Sequence, residues 1–180
     1  MTSLEELARR TAGGDKNAFG EIYGMLADPI YKYLYWNLGS RDDAEDLAEE
    51  VFLRCLVNIE GYSPHRGPFK AWAFRIAHNV LVDHHRRRGR RGQEELKEGL
   101  ENGAAPAAER LEDEERNGAL REALEELPPM QRQVIIMKYF AEMSNAEAAR
   151  ALGRNEGAVN ALQHRALRRL GKMLEERGWR

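Results

Sequence analysis

An all-α fold of two small helical domains joined by a flexible acidic linker is what this chain predicts, on three observations. Apolar residues recur at helical spacing through most of its 180 residues. Strand-favouring residues are sparse beside the abundant Glu, Leu, Ala and Arg. One stretch, GRRGQEELKEGLENGAAPAAE, has no periodicity and separates two periodic segments. The expected boundaries are a first domain over 1–91, a linker over 92–112 and a second domain over 113–180. Lobes of about eighty residues are large enough to fold, each burying roughly 60% of its unfolded surface.

The elements follow in order. Ser3 and Glu6 have capping-box spacing for a short first helix. Phe19, Ile22, Tyr23 and Leu26 form an i, i+3, i+4, i+7 stripe, so a second helix begins near Asp15 or Asn17. Pro29 suits the first turn of a third helix, PIYKYLYWNL, closed by Gly39. Ser40 caps RDDAEDLAEEVFLRCLVNI, whose first turn carries acids favoured by the helix dipole. Its core side is Ala44, Leu47, Ala48, Val51, Cys55 and Ile59. EGYSPHRG breaks that helix, and Pro68 opens another running to about Arg88. Helices resume near Asp113. LREALEEL ends at Pro128-Pro129, the more apolar MQRQVIIMKYFAEM follows, and NAEAARALGRNEGAVNALQHRALRRLGKML reads as helix, turn at Gly153, helix.

Charge is sorted along the chain although the formal net charge is only -2. Five arginines fall between Arg86 and Arg91. Residues 93–116 then hold nine acids against Lys97, Arg110 and Arg116, and residues 150–172 hold six bases against Glu156. Two basic patches flanking an acidic joint speak of partners rather than of fold. The single cysteine, Cys55, excludes an internal disulfide or a cysteine-built zinc site. No apolar run approaches the roughly 20 residues of a membrane span. MTSLEELARR lacks the basic-then-apolar order of a secretory signal, so a cytoplasmic protein is expected.

Two segments carry recognisable chemistry. In the last one, Ala146, Ala149 and Leu152 share a side of the short helix, and Gly153 permits a left-handed turn. Val159, Leu162, Ala166 and Leu170 make the core side of the following helix. Gly157, Asn160, Ala161, His164, Arg168 and Lys172 then point away, small and amide-bearing residues first and phosphate-binding bases later, as a DNA-reading helix requires. In the helix after Pro68, Arg75, Arg86, Asn79, Trp72 and Asp83 form a polar stripe beside the apolar seam Phe69, Ala73, Ile76 and Val80. An aromatic beside arginines offers a single-stranded base a stacking surface next to a charge funnel.

Taken together, DAEDLAEEVFLR, FKAWAFRIAHNVLVDHHRRRGRR and LEELPPMQRQVIIMKYFAEMSNAEAARALGRNEGAV resemble the extracytoplasmic-function group of bacterial RNA polymerase sigma factors, of the sigma-70 family. The likeness runs from about Asp15 to Leu174 with the three motifs in order. It implies an N-terminal sigma region 2 bundle and a C-terminal sigma region 4 helix-turn-helix. It also implies a transcription initiation factor without catalytic site, metal or cofactor. Its partners would be core polymerase (the beta-prime clamp helices and the beta flap), promoter DNA and an anti-sigma factor, with no membrane and a monomer when free.

Carried onto this chain, the resemblance assigns polymerase docking to Asp43, Asp46, Glu50 and Arg54, with Phe52 partly buried beside them. It assigns the -10 element to Ser63, His65, Arg66, Lys70, Trp72, Arg75, Asn79 and Asp83, with Arg86, Arg87 and Arg88 on phosphates. Capture of unpaired bases there would offset an unpairing cost of a few kcal/mol. It assigns the -35 element to Asn155, Glu156, Gly157, Asn160, Ala161, His164, Arg165 and Arg168. The chain departs from the family pattern at three places. Glu49 replaces a usual glutamine, and Ser144-Asn145 replaces serine plus an aromatic. Asn160, Ala161 and Leu162 replace lysine, serine and arginine of the recognition helix.

A stand-alone helix-turn-helix repressor is the alternative, and it would bind duplex DNA over two half-sites as a dimer. A nuclease using His78, Asp83, His84 and His85 is disfavoured, because adjacent His84 and His85 point to different helix faces and no HExxH pattern exists. The acidic linker, in the family's arrangement, threads the channel that later carries RNA. Reversing four of these linker acids to lysine is expected to weaken holoenzyme assembly. Unchanged affinity in a polymerase-binding titration would refute a role for that charge.

Overall fold

The protein, represented here by a computed structural model, is described over residues 2–95 and 111–178. It consists of α1 (Leu4–Ala12), α2 (Lys16–Leu38), α3 (Arg41–Val57), single 3-10 turns at Ile59–Gly61 and Pro64–Arg66, α4 (Phe69–Glu95), α5 (Leu111–Glu125), α6 (Pro129–Tyr139), α7 (Asn145–Ala151) and α8 (Glu156–Glu176). Among the described residues there is no strand, so the fold is all-α. The expected linker acids Glu98, Glu101 and Glu109 lie outside the described residues. The helix expected to stop near Arg88 continues to Glu95, and the helix expected from Asp113 begins at Leu111.

Local chemistry explains most helix ends. Asp15 caps α2 by accepting from the Asn17 and Ala18 amides, and Ser40 caps α3 by accepting from Asp43. Gly39 closes α2 in the left-handed conformation, φ 74°. The reciprocal capping box expected at α1 is only half made. Ser3 accepts from the Glu6 amide, but the Glu6 carboxylate turns instead to Arg9, at 2.9 Å from Nε, because a charged partner outbids a neutral backbone donor. A full box forms at α7, between Ser144 and Glu147.

Pro29 does not begin a helix: α2 runs through it without a break. An interior proline costs about 3 kcal/mol in an isolated helix. Here Ala18, Ile22, Leu26, Ile30, Tyr33 and Leu34 make one buried stripe on both sides of Pro29. Burying such side chains is worth roughly 1.5–3 kcal/mol each, which outweighs the proline.

α2, α3 and α4 pack around Tyr33, Phe74, Leu34, Val51 and Cys55, with Tyr33 and Phe74 edge-to-face at 5.7 Å. Cys55 is buried, which pushes its thiol up to about 12, so it acts as a small apolar residue. In the second half, α5, α6 and α7 pack on α8 around Leu124, Val134, Ile136, Met137, Val159, Ala166 and Leu170. α7 is covered on two sides, by α8 and by α4. Ala148, Ala149 and Ala151 are therefore buried, whereas Ala146, expected on the packed side, is exposed.

The two halves dock against each other. Gln133 of α6, only 7% exposed, enters the first half between α2 and α4. It accepts from the Tyr33 hydroxyl at 2.7 Å and donates to Asn37 Oδ1 at 2.6 Å. His78 Nδ1 lies 3.1 Å from the same hydroxyl. With the single Tyr33 proton given to Gln133, His78 contributes the Nδ1–H, so its neutral ring is the Nδ1-protonated tautomer. Around this network Trp36 packs on Phe140 at 4.2 Å, and the Arg121 guanidinium lies 4.7 Å from the Tyr35 ring centre. Lys70 donates to the Glu142 carbonyl at 2.9 Å, and Arg150 to the Arg66 carbonyl at 3.3 Å.

Two outcomes follow from this seam. Gln133→Ala removes the acceptor of the Tyr33 hydroxyl proton and the donor to Asn37 Oδ1, a loss of about 1–3 kcal/mol for each buried group left unsatisfied. Small-angle scattering is expected to show a larger radius of gyration with unchanged helicity; an unchanged radius would refute the lock. Burial pushes the His78 ring down, so the folded chain binds fewer protons than the unfolded chain just below the ordinary imidazole range. Stability is then fully present above about pH 6.5 and falls as pH drops towards the folded value. Urea unfolding on both sides of that pH should show the slope, and His78→Phe should reduce it.

Candidate nucleic-acid interface

The first surface is built by the segment between α3 and α4 together with the start of α4. Pro64 nucleates a tight turn, and Gly67, at φ 132°, supplies a backbone that other residues rarely adopt. Tyr62 donates to the Gly67 carbonyl at 3.1 Å and packs edge-to-face on Phe69 at 5.0 Å. Trp72 completes this aromatic cluster, 5.2 Å from Phe69 and 5.5 Å from Tyr62, and is half-buried. The Trp72 ring is thereby held in place while part of it stays open.

Beside it lies a cleft of about 460 Å³. It gathers five of the expected -10 residues, Ser63, Arg66, Trp72, Arg75 and Asn79. Arg75 and Asn79, one helical turn apart on α4, are exposed. The cleft combines an aromatic wall, an amide and guanidinium groups, the chemistry that holds an unstacked base and its phosphate. Arg54, expected among the polymerase contacts, also lines it, as does Arg150 of α7, which the sequence reading did not single out.

Other expected residues sit elsewhere. His65 is exposed and is not part of the cleft wall, and Lys70 is tied to the Glu142 carbonyl. Asp83 does not face the cleft but joins a ladder of ions between α3 and α4. There Arg54 reaches Glu50 at 2.5 Å and Asp83 at 3.6 Å, Arg86 reaches Asp83 at 3.2 Å, Arg87 reaches Glu50 at 3.7 Å and Arg88 reaches Asp43 at 3.3 Å. Two acids expected to dock on polymerase, Glu50 and Asp43, thus neutralise Arg87 and Arg88, expected to hold phosphates, while Arg86 pairs with Asp83. These pairs are solvent-accessible, so each contributes at most about 1 kcal/mol and exchanges readily. Asp46 is exposed. Phe52, expected to be partly buried, is 5% exposed, because Tyr23 at 4.6 Å and Phe19 at 6.5 Å cover its ring; it packs α3 from within.

The second surface is α8. Gly153, at φ 62°, makes the turn between α7 and α8. Asn155 caps α8 by accepting from the Ala158 amide at 2.7 Å, which commits its Oδ1 to the helix. Glu156, Gly157, Asn160, Ala161, His164, Arg165 and Arg168 are all exposed, as expected of a reading face. Val159, Ala166 and Leu170 are buried and Leu162 is half-buried. Among the described residues no group of three or more His, Cys, Asp or Glu side chains is placed to hold a metal ion, and no helix is long and apolar enough to cross a membrane.

Sequence reasoning missed Arg150, Gln133 and the Asn145 contacts described below. Gln133 carried one signal, a polar residue immediately before the apolar run VIIM. Such a residue on a buried face demands a partner.

The Sigma-70 region 2 family model matches residues 22–91, and the Sigma-70, region 4 model matches residues 117–170. The chain is 35% identical over 178 residues to the ECF RNA polymerase sigma factor BldN of Streptomyces coelicolor, covering 96% of this chain and spanning 66% of that protein. It is 31% identical over 174 residues to the ECF RNA polymerase sigma factor SigD of Mycobacterium tuberculosis, covering 93% of this chain and 82% of that one. Its structure is similar to CnrH, solved in complex with the cytosolic domain of CnrY, with TM-score 0.75 and 26% identity over 94% of this chain and 96% of that one. With both halves matched in order and the same fold across nearly the whole length, the chain belongs to the extracytoplasmic-function (ECF) RNA polymerase sigma factors.

Proposed function

We propose that this chain binds bacterial core RNA polymerase and directs it to promoters by reading -10 and -35 elements. The carrying observation is the cleft that places Trp72, Arg75, Asn79 and Arg66 together beside a fixed aromatic cluster. In this reading Asn79 reads an unpaired base of the -10 element, Trp72 stacks at the edge of the melted strand, and Arg66 and Arg75 hold phosphates. Ser63 lines the same cleft, while His65 and Lys70 flank it. α3 docks on the beta-prime clamp helices through Asp43, Asp46, Glu50 and Arg54. Basic groups of the clamp that take Asp43 and Glu50 release Arg88 and Arg87 for promoter phosphates. The second half, α5 to α8, contacts the beta flap, and its α8 enters the major groove of the -35 element.

This reading requires the two halves to part. Elements centred about 25 base pairs apart span about 85 Å at 3.4 Å per pair. A close-packed chain of this length has a radius of gyration of only about 16 Å. The docked arrangement is therefore a resting form. Its likeness to CnrH, whose structure was solved with the cytosolic domain of CnrY, supports an anti-sigma partner that binds while the halves are docked. No catalytic residue, cofactor or metal is proposed. The repressor alternative is not favoured, since both family models match and the relatives are sigma factors throughout.

Run-off transcription with bacterial core polymerase on a promoter pool tests the reading. Defined starts are expected, and Asn79→Ala or Trp72→Ala should abolish them while leaving polymerase binding unchanged. Absence of any start, with tight salt-sensitive binding to duplex DNA in the absence of polymerase, would overturn it in favour of a repressor.

A further inference from the structure

Two of the places where the chain departs from its family's usual residues meet in space. Asn145 opens α7, and Asn160 lies on the reading face of α8. The half-buried Asn145 amide donates both its hydrogens, one to Asn160 Oδ1 and one to Gln163 Oε1 at 2.9 Å. Gln163 in turn donates through Nε2 to the Tyr139 hydroxyl at 3.0 Å. The polarity of this chain is set from the inside outwards. Asn145 turns its NH2 to both neighbours and keeps its own Oδ1 buried, without a partner among the described residues, so Asn160 and Gln163 both face it with their carbonyl oxygens. An amide is planar and two-ended, so an inward Oδ1 leaves the exposed Asn160 side chain presenting its NH2.

We infer that Asn145 is a positioning residue for -35 readout, holding Asn160 so that it offers a donor to the base edge in the major groove. This rests on the reading of α8 as the -35 helix. A free asparagine pairs with adenine by using its NH2 on N7 and its oxygen on N6. Here the oxygen is turned inwards to Asn145 and away from the groove, so Asn160 offers the base edge its NH2 and asks it for an acceptor. Guanine, with O6 and N7, thymine, with O4, and adenine, through N7, satisfy it; cytosine, which presents only its N4 donor on that edge, does not. Asn145 itself need not touch DNA. The usual lysine at position 160 would supply a mobile charge with no such orientation. The chain has exchanged phosphate-like attraction for a directional contact held by a second side chain.

The test is holoenzyme run-off on a promoter library randomised in the -35 element with the -10 element held constant. Wild type is expected to favour guanine or thymine over cytosine at one position by about tenfold. Asn160→Ala should flatten that position alone. The informative variant is Asn145→Asp, which is isosteric and places a negative charge at a helix start, where it is tolerated. A carboxylate only accepts, so Asn160 and Gln163 must turn their NH2 groups inwards and present oxygen outwards. The preference should then invert towards cytosine at the same position, with adenine accepted in both cases and -10 selection unchanged. A purely structural role for Asn145 would lower transcription evenly and invert nothing, and that outcome overturns the inference. Should wild type show no -35 preference at all, the reading of α8 fails first, and this is visible before any variant is assayed.

Discussion

A buried polar network at the seam between the halves constrains everything else in the molecule. Gln133 is the only side chain of α6 placed to satisfy both the Tyr33 hydroxyl and Asn37, and the match works in one orientation. Apolar contacts such as Trp36 on Phe140 tolerate sliding; a three-membered set of hydrogen bonds does not. The network therefore selects one docking geometry. That geometry lays α7 along α4 and brings Arg150 to the rim of the cleft.

The ion ladder between α3 and α4 shows how two charge patterns that look independent in the sequence become one object. Asp43, Glu50 and Asp83 alternate with Arg54, Arg86, Arg87 and Arg88. Such exposed pairs hold each other weakly, so a stronger partner on either side can take one member without unfolding anything. In the proposed function, the same weakness would let α3 and α4 serve polymerase and promoter in succession.

Much of the fold was legible because its determinants are local. Asp15, Ser40 and the glycines at 39 and 153 act within four residues of themselves, and the apolar stripes of α3 and α8 obey one period. Pro29 was misread because its penalty is local whereas the burial that overrides it comes from three helices at once. The cleft was legible in part: Trp72, Arg75 and Asn79 share one helix face, so a wheel finds them. Arg150 could not be found that way, since it arrives from another helix 84 positions away from Arg66. Nor could the Asn145 pairing, since two amides at unrelated positions declare a partnership only when their rotamers are known. Gln133 reaches its partners across 96 and 100 positions, which no periodicity encodes.

Arg121 adds a thermodynamic point about closure. Its guanidinium lies over Tyr35 and Trp36, yet its Nε and one Nη are buried with no acceptor among the described residues. Water would satisfy both as soon as the halves part. The clasp therefore stores a small hydration debt in its closed form, and opening discharges it. A seam made of leucines would have no such group to rehydrate, whereas this one regains hydration for Arg121 when the halves part.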